Sequence, residues 1–324
     1  MKTFQKVILV IGTVTLGVLL WKMDPATVGK LVLQVGWGMA LIVSQEAVAH
    51  LLNAVGWRFA FTADRAASFP LTELVKLRIA GDAINYLTPS GTIAGEVTRT
   101  TMLNKSHGME VRAASVLVAK CTQTLGQVLF AVAGLVFAVG GALPVARRYR
   151  TLVYGVASGL VLFLASLALI ELRAPRQFVS STDRVPPQTG LRALGGWLRY
   201  FFRRHPGRFA LSALLFLLGY AWGTFEAYWI CRFLGLPVSV RTAITIEVLS
   251  TTIDGILFMV PAKMGTQEGG KTAIFAALGL PPSSGFAFGV VRHVRELLWA
   301  GLGLLLGSAC KKPAPAPERS SRFR

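Results

Sequence analysis

Charge is scarce in this chain. Asp, Glu, Lys and Arg make up 15% of its 324 residues, where a soluble domain carries roughly 25%. That shortage excludes an ordinary soluble globular domain. Cysteine is rarer still: Cys121, Cys231 and Cys310 are odd in number and far apart, which excludes a disulfide framework or a thiolate metal site and leaves them as apolar filler. The four histidines, His50, His107, His205 and His293, form no ligand pair at helical spacing. The motifs H-E-x-x-H, G-x-S-x-G and the phosphate-cradling P-loop are all missing. No metal, no cofactor and no enzymatic activity is therefore expected. Acids are few relative to bases, 15 against 34, for a net charge of +19. Nucleic acid is not the expected partner, because no aromatic-basic RNA module or helix-turn-helix pattern accompanies the charge. Basic loops retained on one side of a membrane explain the excess.

Apolar residues are what the chain has in quantity, 53% of the total, with a mean hydropathy of +0.56. A bilayer core needs roughly 20 apolar residues per helix, and the pattern predicts an all-α polytopic membrane protein. About six spanning helices are expected, over residues 7–21, 35–57, 113–140, 152–172, 209–230 and 285–308. The first run follows Lys2 and Lys6 but ends in Trp-Lys-Met-Asp-Pro. It lacks a small-x-small cleavage site and reads as a retained membrane helix.

Two apolar segments, 71–103 and 243–280, fit neither a plain span nor a soluble loop. They repeat each other 172 residues apart. Asp82, Pro89 and Glu96 recur as Asp254, Pro261 and Glu268, both spaced D-x6-P-x6-E. The match continues without a gap: Arg99 aligns with Lys271, Thr100 with Thr272 and Lys120 with Arg292. Non-helical backbone at membrane depth is tolerated only where protein or a water-filled cavity covers it, so each segment is expected to be a re-entrant hairpin with its proline near the tip. Two ordinary short spans per segment are the alternative. Glycines flank both prolines (Gly81, Gly91 and Gly95; Gly255, Gly265, Gly269 and Gly270) and permit tight turns and close backbone approach.

With the N-terminus inside and both hairpins returning to their side of entry, 22 Lys and Arg fall on the cytoplasmic side and 9 outside. That bias favours cytoplasmic N- and C-termini in a bacterial inner membrane. Each half then holds three spans with a hairpin between the second and third. Because three is odd, the halves run oppositely through the membrane, as an inverted-topology repeat. The expected units are a first repeat over 1–141, a second over 142–310 that includes a basic cytoplasmic loop at 173–208, and a disordered tail at 311–324. Within the loop, 191–204 alternates apolar and basic faces. It reads either as an amphipathic helix on the inner leaflet or as a solvated loop, since Gly195-Gly196 weakens a helix.

Ionisable groups inside membrane segments are costly and each is a functional candidate. Lys120, Gln123 and Gln127 form one polar stripe, and Arg292, Arg295 and Glu296 lie on the last span. Asp82, Glu96, Asp254 and Glu268 are candidates to gate or relay protons. Lys120, Arg292, Arg295 and Arg99 are candidates to hold an anionic headgroup in a basic cavity, Arg gripping phosphate in bidentate fashion. The competing reading is that the cations simply pair with the four carboxylates and lock the hairpins. Glu46, Glu226 and Glu247 rank second.

The stretch Asn85-Tyr-Leu-Thr-Pro-Ser-Gly-Thr-Ile-Ala-Gly-Glu-Val-Thr-Arg, with Pro261-Ala-Lys-Met-Gly-Thr-Gln-Glu and the following Leu278-Gly-Leu-Pro, resembles the lysylphosphatidylglycerol synthase transmembrane-region family, also called flippase-like. The resemblance covers residues 5–310. It implies a membrane unit that moves or handles lipids, and some members are tied to hopanoid biosynthesis. Bifunctional members carry a fused aminoacyl transferase; this sequence ends 16 residues after Ser308, so no synthase activity is expected. By motif position the resemblance points to Pro89, Glu96, Arg99, Pro261 and Glu268. Membrane lipids are the expected partners. The alternatives are a membrane-embedded enzyme of lipid or isoprenoid metabolism, or a subunit that organises lipid-biosynthesis proteins.

Overall fold

The computed structural model describes residues 33–88, 92–104, 106–140, 191–258, 260–263 and 265–309, with isolated positions before 33 and between 151 and 162. The expected spans at 7–21 and 152–172, the start of the basic loop, Pro89 and the tail lie wholly or mostly outside these. The described elements are all helical. They are α1 (Gly38–Phe59), α2 (Ala63–Ala66), α3 (Leu71–Leu87), α4 (Ile93–Met102), α5 (Met109–Gly140), α6 (Leu191–Arg204), α7 (Pro206–Phe233), α8 (Val240–Ile256), a 3-10 turn (Pro261–Lys263), α9 (Thr266–Ala277) and α10 (Pro282–Ala309).

Three helices, α1, α5 and α7, are long and apolar enough to cross a membrane. They match three of the six expected spans; α5 and α7 run a few residues longer, and α1 is shifted by two or three residues towards the C-terminus. The 28 residues of α10 rise about 42 Å, as far as α7, but Arg292, Arg295 and Glu296 interrupt its apolar run. Along α7 and α10, Leu211, Leu214, Leu218, Leu298, Leu302 and Leu305 stand exposed, as a helix face turned to lipid requires. The chain is an integral membrane protein.

Sequence chemistry sets the helix limits. Thr88, which precedes Pro89, is extended at φ −113° and ψ 141°, because a following proline disfavours the α region; α3 stops there. Ser239 caps α8 by accepting the Thr242 amide at 3.1 Å. Pro206 occupies the first turn of α7, where its missing N–H costs nothing. α6 forms despite Gly195-Gly196, so this stretch of the basic segment is helical. Its Trp197 and Phe201, one turn apart, are buried beside Phe61, Arg65 and Val118, and packing of this kind outweighs intrinsic propensity.

Each repeated segment is two antiparallel helices joined by a tip. In the first, Asn104 N–H donates to Glu73 at 3.0 Å, Gly95 N–H donates to Asn85 Oδ1 at 2.7 Å, and Arg99 reaches Asp82. The arms cross where Gly81 faces Gly95. A methyl on Gly95 would overlap the Gly81 carbonyl, and one on Gly81 would press on the Arg99 side chain. The second segment, α8 to α9, joins at Asp254 and Lys271.

The 172-residue offset extends beyond the hairpins. It carries α1 onto α7, α3 onto α8, α4 onto α9 and α5 onto α10, each within a few residues. Packing follows the same exchange: α3 lies on α10 and α8 lies on α5. α1 and α7, the pair that the offset relates to each other, pack together. One apolar cluster gathers around Trp57, Phe69, Leu77 and Phe216, and another around Ile42, Ile230, Ile246, Phe275 and Phe288.

Candidate functional site

A cavity of about 750 Å³ opens among α1, α3, α4, α5, α7, α8, the 3-10 turn and α10. This falls within the range of small-molecule sites, about 300–1,000 Å³. Both halves build it from equivalent positions. Asp82 and Asp254, Asn85 and Leu257, Tyr86 and Phe258, Lys120 and Arg292, Gln123 and Arg295, and Thr124 and Glu296 all line it, and each pair is 172 residues apart. The polar stripe expected on α5 faces inward as a unit: Gln123 Nε2 donates to the Tyr220 hydroxyl at 3.3 Å, and that hydroxyl donates to Gln127 Oε1 at 3.3 Å.

The acids and bases of the two hairpins form two ion-pair clusters, and hydrogen bonds through Gln123, Tyr220, Gln127 and Thr251 link Arg78 of the first to Glu247 of the second in one polar network. On the first hairpin Asp82 accepts from Arg78 at 2.9 Å and from Arg99 at 2.5 Å. Arg99 also donates to Glu96 at 2.8 Å, and Lys120 approaches Glu96 at 3.4 Å. On the second hairpin Asp254 pairs with Lys271 at 3.0 Å and Lys263 at 2.8 Å. The Asp82–Arg99 bridge thus recurs as Asp254–Lys271 at equivalent positions, in each case tying the two arms together. Arg99 and Lys271 are buried behind the acids and do not line the cavity.

The second half adds ions that the first lacks. Arg292 on α10 pairs with Glu226 of α7 at 3.0 Å and with Glu247 of α8. Arg295 pairs with Glu46 of α1 at 2.6 Å, with Glu226 at 2.7 Å and with its neighbour Glu296 at 3.3 Å. Glu296 accepts from Gln267 and from Lys263, each at 2.8 Å. Glu268, the counterpart of Glu96, does not line the cavity; it meets His293 Nδ1 at 2.6 Å.

The expectation of a basic cavity does not match this geometry. Seven carboxylates line the wall (Glu46, Asp82, Glu96, Glu226, Glu247, Asp254 and Glu296), against the cations Lys120, Lys263, Arg292 and Arg295. Arg78, Arg99 and Lys271 stand behind them, so the network is balanced rather than positive. The acids ranked second from sequence, Glu46, Glu226 and Glu247, supply the difference. Burial requires it, because an unpaired buried charge is far more costly than a paired one. The structure thus joins Asp82, Glu96, Arg99, Lys120, Asp254, Lys271, Arg292 and Arg295 in one network and sets Glu268 to one side.

Sequence reasoning missed Arg78 and Lys263. Arg78 sits one turn before Asp82, a readable i, i+4 pair, inside the segment 71–103. Lys263 was legible only as a lone cation in the tip after Pro261. That tip is strained: Ala262 and Lys263 have φ of 47° and 53°. Left-handed backbone costs a residue bearing a Cβ about 1–2 kcal/mol, so two in succession need external support. Lys263 has it in Asp254 and Glu296. Gly265, at φ 70°, then opens α9 without that cost.

No curated protein and no solved structure matches the chain. The family model for the lysylphosphatidylglycerol synthase TM region matches residues 6–303, nearly the whole chain and both halves of the cavity. Charged walls built from a duplicated hairpin within apolar helices are thus the setting of the match, and the chain belongs to that family of membrane proteins involved in lipid handling.

Proposed function

We propose that the chain is a lipid translocase, which carries a lipid with a phosphate-bearing headgroup between the leaflets of a bacterial inner membrane by alternating access at the shared cavity. The carrying observation is that equivalent positions of the two repeats converge on one cavity. In an inverted repeat, one site between two related halves opens to either side by exchange of their conformations. The lengths of the short arms support re-entrant hairpins: α4 and α9, at 10 and 12 residues, rise about 15 and 18 Å, short of a bilayer core of roughly 30 Å. The charge bias supports the orientation. Arg78, Arg99, Lys263 and Lys271 belong to the ion network and not to loops; without them the bias is 20 against 7, still for cytoplasmic termini.

A balanced network binds an anion by exchange. A phosphate entering beside Lys120 takes that cation from Glu96, which keeps Arg99 at 2.8 Å. Binding then alters the contacts that hold the first hairpin, which couples cargo to movement. No covalent chemistry is required. Reconstitution into liposomes with labelled phospholipids tests the reading. Exchange above that of empty liposomes is expected, with a loss of about tenfold or more for Lys120→Gln, the scale of one charge-assisted hydrogen bond. If no phosphate-bearing lipid exchanges faster than in empty vesicles, translocation is refuted. If Glu96→Gln and Glu268→Gln both exchange lipid at the full rate, the carboxylates are not part of the gate.

A further inference from the structure

We infer that Lys263, on the strained tip of the second hairpin, is the headgroup-binding cation of the second half and the working partner of Lys120. The inference rests on the reading of the cavity as a site for a phosphate-bearing headgroup, and it gives a role to a residue that stands in the family-like stretch after Pro261 but has no charged counterpart in the first repeat. Two observations single it out. The first is access. Among the described cations of the network, Lys120 and Lys263 keep 34% and 30% of their side chains exposed, while Arg78, Arg99, Lys271, Arg292 and Arg295 keep 10% or less. A cation must present a free face before a ligand can use it.

The second observation is replaceability. A cation can turn to a ligand only if its departure does not strand a buried carboxylate, since an unpaired buried charge is heavily penalised. Lys263 satisfies this condition at both its contacts. Asp254 retains Lys271 at 3.0 Å, and Glu296 retains Arg295 at 3.3 Å and Gln267 at 2.8 Å. Lys120 satisfies it too, because Glu96 retains Arg99. Arg292 fails: among the described residues Glu247 would keep only the Thr251 hydroxyl at 3.3 Å. Arg295 fails for Glu46, and Lys271, with none of its side chain exposed, has no route to a ligand.

The tip backbone adds a reason for a lysine at this position. The left-handed conformations of Ala262 and Lys263 are held from outside the tip by the two carboxylates. Strain of this kind gathers where a segment is poised for a ligand. When a headgroup phosphate takes the ammonium, the tip loses the contacts to Asp254 on α8 and Glu296 on α10 that fix it against both helices. Lys120 and Lys263 are not repeat equivalents: position 263 aligns with Gly91, and position 120 with Arg292. Each half thus contributes one accessible lysine from a different element.

The test uses the full chain in detergent, with dihexanoyl phosphatidylglycerol as the phosphate-bearing probe and dihexanoylglycerol as the phosphate-free control, read by titration calorimetry. Lys263→Gln is expected to weaken the phosphatidylglycerol affinity by about tenfold or more, the scale of one charge-assisted contact. Lys263→Arg is expected to stay near wild type, and Lys76→Gln, at an exposed lysine of α3, to change nothing. A second measurement needs no variant. Acylation of Lys263 by an amine-reactive reagent, followed by peptide mass spectrometry, should slow in the presence of phosphatidylglycerol and not of dihexanoylglycerol. Undiminished affinity in Lys263→Gln, or labelling indifferent to the probe, overturns the inference. Leaflet exchange in proteoliposomes is scored separately: binding that depends on Lys263 without exchange leaves this inference standing and removes the translocase reading.

Discussion

Arg292 offers the sharpest test of the division between ions that hold the fold and ions that remain available to a ligand. Its guanidinium keeps 6% exposure and bridges Glu226 of α7 and Glu247 of α8, so it fastens three helices of the second half. In Arg292→Met, Glu226 still holds Arg295 at 2.7 Å. Glu247 is stranded with the Thr251 hydroxyl at 3.3 Å. Breaking a buried pair by removing one partner costs about 3–5 kcal/mol, because the other charge stays behind. At about 2–4 °C per kcal/mol for a domain of 150–250 residues, the unfolding midpoint should fall by about 6–20 °C, towards the low end for a longer chain. The stranded charge is the cause, so neutralising it should help: Arg292→Met with Glu247→Gln is expected to regain at least about half of the loss. Fluorescence-monitored thermal unfolding in detergent reads both. A single variant within about 2 °C of wild type, or a double variant no more stable than the single, refutes the claim that Glu247 is charged and compensated by Arg292.

Asp254→Asn should destabilise by a similar amount, about 3–5 kcal/mol, because it strands the fully buried Lys271; Lys271→Gln added to it should recover stability in the same unfolding assay. Gly95→Ala is expected to cost about 1–3 kcal/mol as overpacking, because its methyl meets the Gly81 carbonyl and Asn85; an unchanged midpoint would mean that the arms of the first hairpin do not cross there. Trp197→Ala removes a side chain that is 8% exposed, a truncation worth about 3–5 kcal/mol in a well-packed site. It should raise hydrogen exchange across 191–204 while α1, α5 and α7 stay protected, and uniform protection would show that Trp197 does not hold α6.

Sequence periodicity and apolar run length were enough to locate α1, α5, α7 and α10, because a membrane helix declares itself by composition over some 20 residues. The hairpins were legible for a different reason: their polar residues have no place in an ordinary span, and the repeat of Asp82 and Glu96 as Asp254 and Glu268 located both copies. The partners were less legible. Arg99 and Lys271 aligned, but what they touch depends on two arms folding back upon each other. Glu226 and Glu247 stand alone in their helices, and only the approach of α10 shows that they share Arg292. The separation of Glu96 from Glu268 was beyond reach of the pattern, since it turns on His293, a residue aligned with Cys121. Lys263 was hidden because its importance lies in a backbone conformation that a non-glycine tip gives no hint of adopting.

The repeat retains the bridge that closes each hairpin and varies the ions beyond it. Asp82–Arg99 and Asp254–Lys271 occupy equivalent positions and each ties two arms of one hairpin. In the first half the next acid, Glu96, turns into the cavity towards Lys120. In the second, Glu268 turns away to His293, and Lys263 with Glu296 stands at the wall instead. Had all the charges been fixed by packing, every cation would be as enclosed as Arg292, and the cavity would be a seam in the fold. Had they all been kept for a ligand, seven carboxylates would be surplus on a wall meant for an anion. The balance of seven and seven reconciles the two demands, because a neutral network tolerates burial while the carboxylates that face its two accessible lysines each keep a second cation.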